Sequence, residues 1–260
     1  LLSGDDQRIE AWHVAENACR PGFYPLIVAG GGRQLIADLK CQILEEGFLG
    51  YKVFLNWAGN DYGSVTVEEM ITREEMALAD ELGLIVLLHV PRARRLADPD
   101  VQRGVRACAR NSPNARIVLA HCGRCYLYEE MKEAIGSVAD LENVYFDTAM
   151  VMDPLTMQLV FKMMDSRRVL FATDFPVAAM RGRRVRVMDH WVDVVLDGYP
   201  ASEFRVGGDN IRASFMAWEI ALAVAQGAEM AGLSADQLRA VFHDNGMAVL
   251  DHVLNGRQRQ

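Results

Sequence analysis

Short apolar runs recur along this chain at a nearly constant interval. They occupy residues 23–29 (FYPLIVA), 51–55 (YKVFL), 84–90 (LIVLLHV), 116–121 (RIVLAH), 143–147 (NVYFD) and 168–174 (RVLFATD), with starts 28, 33, 32, 27 and 25 residues apart. Each run is apolar almost without interruption, as a strand covered on both faces must be. The stretches between them carry helical periodicity: 34–46, 67–82, 99–111, 126–138 and 154–164. A strand, a helix and a parallel strand repeated in this way build a parallel sheet with helical cover. Beyond about residue 185 the pattern reads as helix only, at 187–196, 209–231 and 234–252, the last opened by Ser234-Ala-Asp-Gln as an N-cap. No low-complexity linker divides the chain, so residues 1–260 read as a single domain.

Six parallel strands fit either a doubly wound open sheet or part of an eight-stranded barrel. The first 22 residues and the helical tail do not supply two further strands. The polar residues at the strand ends decide between the two. His89, His121, Asp147 and Asp174 lie at or within a residue of the C-terminal ends of four successive strands. In a barrel those ends converge on one mouth, whereas an open sheet strings them along an edge at about 4.8 Å per strand. The segment Gly30-Gly-Gly-Arg-Gln-Leu also lacks the dinucleotide-binding spacing of glycines. The fold class is therefore α/β, a (β/α)8 TIM-barrel-like arrangement short of two strands, with extra C-terminal helices.

Composition narrows the function. A net charge of −8 disfavours nucleic acid as a partner, because phosphate binding wants a basic face. The longest apolar runs, such as residues 82–88, fall far short of the ~18 to 20 residues of a membrane span. Five scattered cysteines fit a reducing compartment, so a cytoplasmic location is expected. The start at Leu1 without methionine points to a missing N-terminal piece.

Alone, His89 reads as a core histidine satisfied by a carbonyl. His121 repeats the arrangement one unit later, and two imidazoles on adjacent strand ends can share one divalent ion. Asp174, after largely apolar residues, must be paired, hydrogen-bonded, metal-bound or a helix cap, because an isolated buried carboxylate is too costly. Arg124 stands beside the mouth and can clamp a substrate carboxylate. Trp57 can stack on a planar substrate, and Asp147 can hydrogen-bond His121 or the substrate. Cys122-Gly-Arg-Cys125 has no second CxxC to complete a zinc site and reads as loop lining. The run Arg181-Gly-Arg-Arg-Val-Arg186 reads as a solvated loop, with attraction of an anionic substrate or pairing with another subunit as alternatives.

The ordered set of His89 in LLHVPR, His121 in IVLAHCGR, Asp147 in VYFDTA and Asp174 in VLFATDFP resembles the amidohydrolase-related branch of the amidohydrolase superfamily. Residues 232–246 (GLSADQLRAVFHDNG) are similar to its final helix, and residues 23–28 and 50–53 to its third and fourth strands. The resemblance implies a metal-dependent barrel acting on small carboxylic acids as hydrolase, lactonase or non-oxidative decarboxylase. By position it implies His89 and Asp174 as metal ligands and His121 as ligand or catalytic base. Asp174 would also relay a proton. Zinc is the expected ion, with manganese the alternative. Lys52 falls on the strand where binuclear members carry a bridging lysine, although a plain ion pair explains it as well.

One departure matters. The family's first strand carries a His-x-His pair, and no two of the six histidines here are two residues apart. Counting back from Asp174, the missing part is the first two strands. A metal-dependent hydrolase of a small carboxylate-bearing ester, lactone or amide is the leading expectation. A decarboxylase of the same branch and a non-catalytic barrel relic are the alternatives, with no membrane or nucleic-acid partner and self-association left open.

Overall fold

The computed structural model describes residues 22–55, 63–188, 190–195 and 213–257. All six expected strands form, as β1 (Ile27–Val28), β2 (Gly50–Val53), β3 (Ile85–Leu88), β4 (Arg116–Leu119), β5 (Val144–Asp147) and β6 (Val169–Leu170). They pair in parallel and follow one another in the order β1 to β6. A doubly wound sheet reverses strand order partway across. This sheet never does, so it is a run of consecutive barrel strands, with β1 and β6 left as edges among the described residues.

The outer helices are α1 (Ile36–Glu46), α2 (Val67–Met70), α3 (Arg73–Leu82), α4 (Pro99–Asn111), α5 (Tyr128–Ala134) and α6 (Pro154–Met163). Periodicity merges α2 and α3 into one helix, but the chain breaks between them because each has its own start signal. Thr66 with Glu69, and Thr72 with Glu75, both form reciprocal capping boxes. Asp98 caps α4 and Asp153 caps α6, each followed by proline at the first helical position. Between helices and sheet, Phe48, Tyr51, Leu88, Ile117 and Phe146 are fully buried.

The C-terminal part contains α7 (Met216–Ala231), α8 (Ala235–Arg239), a π-helical turn (Ala240–Asp244) and α9 (Asn245–Arg257). Ser234 is the N-cap read from the sequence and forms a capping box with Gln237. The π-turn leaves the Val241 carbonyl to accept the Phe171 amide at 3.0 Å. Asn245 donates to the carbonyls of Ser166 and Val169 at 2.8 and 2.9 Å. These bonds tie the tail to the short strand β6.

The arginine run and the segment after it depart from expectation. Residues 187–196 read as helix and 181–186 as a solvated loop, yet they form an antiparallel hairpin of β7 (Gly182–Val187) and β8 (His190–Val195). Four valines in residues 187–195 explain it, since β-branched side chains favour the extended chain. The expected helix start near Asp209 lies outside the described residues.

Gly50 sets the contact between β2 and β3. A Cβ there would stand 1.8 Å from the Ile85 carbonyl oxygen, which is backbone and cannot yield. Gly50→Ala is expected to cost about 3 kcal/mol in denaturant unfolding. An unchanged midpoint would contradict this strand spacing.

Candidate active site

β3 and β4 deliver the two histidines. His89 directly follows β3, with its amide donating to the Val53 carbonyl at 3.1 Å. His121 follows β4 at the opening of an unusual turn. His121, Cys122 and Gly123 have φ/ψ of 56/44, 50/43 and 66/27, and Arg124 has φ 61. Four successive left-handed residues make one turn of left-handed helix, which costs non-glycine residues about 1–2 kcal/mol each. Glycine is needed at 123 for a second reason, because a Cβ there would fall 2.7 Å from Leu96.

Asp147, the last residue of β5, holds that turn. Its Oδ1 accepts the amides of His121 at 2.7 Å and Ala149 at 3.1 Å. Its backbone carbonyl accepts the Cys122 thiol at 3.2 Å. Asp147 is buried, and its carboxylate faces the backbone of the turn. Burial pushes its pKa up to about 6, against the opposing pull of Lys52 and of the two amides.

The imidazoles meet Nε2 to Nε2 at 2.8 Å, with ring centroids 4.9 Å apart. The His121 Nδ1 lies 3.1 Å from the Ala149 carbonyl oxygen, which can only accept. His121 is therefore the Nδ1–H tautomer, and its Nε2 presents a lone pair. His89 then donates from Nε2, leaving its own Nδ1 buried without a partner. Burial and the Lys52 charge push His89 down to about 2 and His121 down to about 3, so both rings are neutral.

Three cations surround this pair. Lys52, on β2, is half-buried, with Nζ 5.1 Å from the centroid of Phe54, whose ring is 5.8 Å from that of His89. Burial lowers its pKa, while Asp147 and Asp174 pull the other way. Arg124 donates from Nη1 to the Val90 carbonyl at 3.0 Å and so links the loops after β3 and β4. Arg184, on β7, belongs to the arginine run read from the sequence as a solvated loop, with attraction of an anionic substrate as an alternative. It lies 4.0 Å from the centroid of Tyr126, whose ring is 6.1 Å from that of His121.

Asp174 stands apart from the histidines. It is exposed, with φ 65, and its carbonyl accepts the Ala178 amide at 3.3 Å. Lost hydration raises its pKa, opposed by Lys52 and Arg184. Among the described residues no group of three or more His, Cys, Asp or Glu side chains is placed to hold a metal ion. His89 and His121 are brought together, and Asp174 is not gathered to them as a third ligand. Trp57 and His13 lie outside the described residues.

Both imidazoles are neutral, the form that ligates, but at 2.8 Å their Nε2 atoms share a proton rather than an ion. To hold a divalent ion, His89 must carry its proton on Nδ1 and the two nitrogens must part to about 3.3 Å, as two nitrogens about 2.0–2.1 Å from a tetrahedral ion stand. The carbonyl behind His121 Nδ1 is the usual support for a ligating imidazole.

The profile of the amidohydrolase family matches residues 4–251. An amidohydrolase from Burkholderia multivorans with bound HEPES shares the fold with a TM-score of 0.58 at 15% identity, over 92% of this chain and 77% of that one. 4-Oxalomesaconate hydratase from Rhodopseudomonas palustris gives 0.57 at 16% identity, over 99% and 77%. A dihydroxybenzoic acid decarboxylase from a Polaromonas species, solved with manganese and 2-nitroresorcinol, gives 0.52 at 14% identity, over 95% and 75%. No curated protein sequence matches the chain. None of the described helices is long and apolar enough to cross a membrane.

The buried carboxylate gives a pH signature. A carboxyl whose folded pKa is raised contributes most below its unfolded value of 3.8, and that contribution is lost as pH rises through about 6. With chelator present, Asp147→Asn is expected to remove this loss, about 3 kcal/mol between pH 3.5 and 7. Asp147→Ala strips the acceptor from two amides and is expected to destabilise by about 3 kcal/mol or more at pH 7. Parallel pH profiles for wild type and Asp147→Asn would contradict the burial of the charge.

Proposed function

Because the chain belongs to the amidohydrolase family, we propose that it is a metal-dependent hydrolase of a small carboxylate-bearing ester, lactone or amide. The observation that carries this reading is the meeting of two neutral imidazoles, Nε2 to Nε2 at 2.8 Å, at adjacent strand ends. His89 and His121 would hold the ion, and by the family resemblance Asp174 would be a further ligand, although the described residues do not gather it to them. Zinc or manganese at that point supplies Lewis acidity.

The chain's own groups do the remaining work. Asp147 and the Ala149 carbonyl orient His121, so that its Nε2 lone pair would face the ion. Asp174, whose pKa lost hydration raises, would take a proton and return it to a leaving group. Arg124 and Lys52 supply positive charge for the substrate's carboxylate, and Trp57 is proposed to stack on it. Tyr126 and Phe54 flank the histidines and limit water around them.

A second reading, non-oxidative decarboxylation or another lyase reaction, has support of its own. The solved structures that share the fold include enzymes named as a decarboxylase and a hydratase. The two readings differ in whether water or the substrate acid reacts. A screen of lactones and esters beside unsaturated and aromatic acids separates them by product, with released CO2 marking the second.

Metal content tests what they share. Chain purified without chelator is expected to hold about one zinc or manganese per molecule, and His89→Ala or His121→Ala is expected to lose it. Retention of metal in both variants would overturn the assignment of the site.

A further inference from the structure

The arginine run on β7 is prominent in the sequence and has no place in the chemistry above. Arg184 is its inward member, with a side chain only 8% exposed. Its Nε and Nη2 donate to the two oxygens of Asp193, both at 2.8 Å. Arg184 and Asp193 are register partners across the hairpin, so this fork is built into the pairing of β7 with β8. The guanidinium lies in the corner of an edge-to-face pair, Tyr126 and Trp191, with Cζ 4.0 and 3.9 Å from the two ring centroids. Its third nitrogen, Nη1, is buried and has no partner.

Arg95 approaches the same corner. Its Cζ is 5.5 and 5.6 Å from the same centroids, and its Nη1 pairs with Glu130. Its Nε is also buried without a partner. Four buried side-chain N or O atoms lack a partner among the described residues, and two of them belong to these two arginines. A buried donor on a charged group left unfilled is costly. Arg184 cannot turn to relieve that cost without giving up Asp193. The donor is thus held in a fixed position, which is what tight recognition of an anion requires. Arg184 and Tyr126 also stand in the wall of a cavity of about 220 Å3, whose lining takes in Met152, Arg183 and Arg186 but not Trp191, Arg95 or either histidine.

We propose that Arg184, with Arg95 beside it, is a carboxylate-binding subsite at the Tyr126–Trp191 corner, and that the β7–β8 hairpin thereby sets specificity for the substrate's acid group. This rests on the carboxylate-bearing substrate of the proposed function. It adds the residue that fixes the acid and the element that carries it. The Tyr126 ring joins the subsite to the histidines, at 6.1 Å from the His121 ring.

The probe is benzoate, titrated calorimetrically into the full chain with and without metal. Wild type is expected to bind it, and Arg184→Lys to weaken binding about tenfold, because lysine can still pair with Asp193 but offers no fixed third donor. A purely structural role predicts a lower unfolding temperature with unchanged benzoate affinity, and that result overturns the subsite. Absence of binding to wild type also overturns it, while the metal site stands or falls separately on the content of the His89 and His121 variants. Should Arg184→Lys not fold, a structure of wild type with benzoate decides. A carboxylate oxygen within about 3 Å of Arg184 Nη1 supports the proposal, and one bound elsewhere refutes it.

Discussion

One buried carboxylate organises the mouth of this barrel. Asp147 ends β5, yet its Oδ1 reaches across to the amide of His121 beyond β4 and to that of Ala149. Four residues of left-handed turn are costly to form, and charge-assisted hydrogen bonds offset part of that cost. The turn fixes the direction of His121, and the Ala149 carbonyl fixes its tautomer. The cost to the chain is a carboxylate whose pKa burial pushes up to about 6. Removing that acceptor releases the turn and, with it, the ring that meets His89.

The electrostatic setting follows from the same geometry. Lys52, Arg124 and Arg184 put positive charge around two imidazoles that burial already keeps neutral. A neutral imidazole is the form that binds a metal or accepts a proton. The positive field also favours an anionic substrate, since buried cations gain from a counter-charge. Neutral rings and surplus cations are therefore two results of one arrangement, in which the rings keep their lone pairs and the cations favour an anion.

The barrel was legible in the sequence because its signal is strong and local. Six continuous apolar runs at regular spacing mark buried parallel strands, and each strand forms where the run predicts. The polar strand ends marked His89 and His121 for the same reason. Less legible was what depends on contacts distant in sequence. Nothing in the sequence near His121 announces a left-handed turn, because its cause lies in Asp147, 26 residues on. The helix expected over residues 187–196 failed because the charged residues masked a run of valines that favours strand. That error also hid Arg184, whose meaning depends on Asp193, Tyr126 and Trp191 being its neighbours. Alternation of arginine and valine over residues 184–187 is the signal that could have exposed it.

Two neutral rings, with His121 protonated at Nδ1, are the centre of the site. Long-range proton–nitrogen NMR of the histidine side chains reads this directly on metal-free protein. The prediction is that His121 shows a protonated Nδ1 and a bare Nε2, and that neither His89 nor His121 takes up a second proton by pH 4.5. An Nε2–H tautomer at His121, or either ring titrating near its ordinary value of 6.5, would contradict the arrangement from which the function is argued.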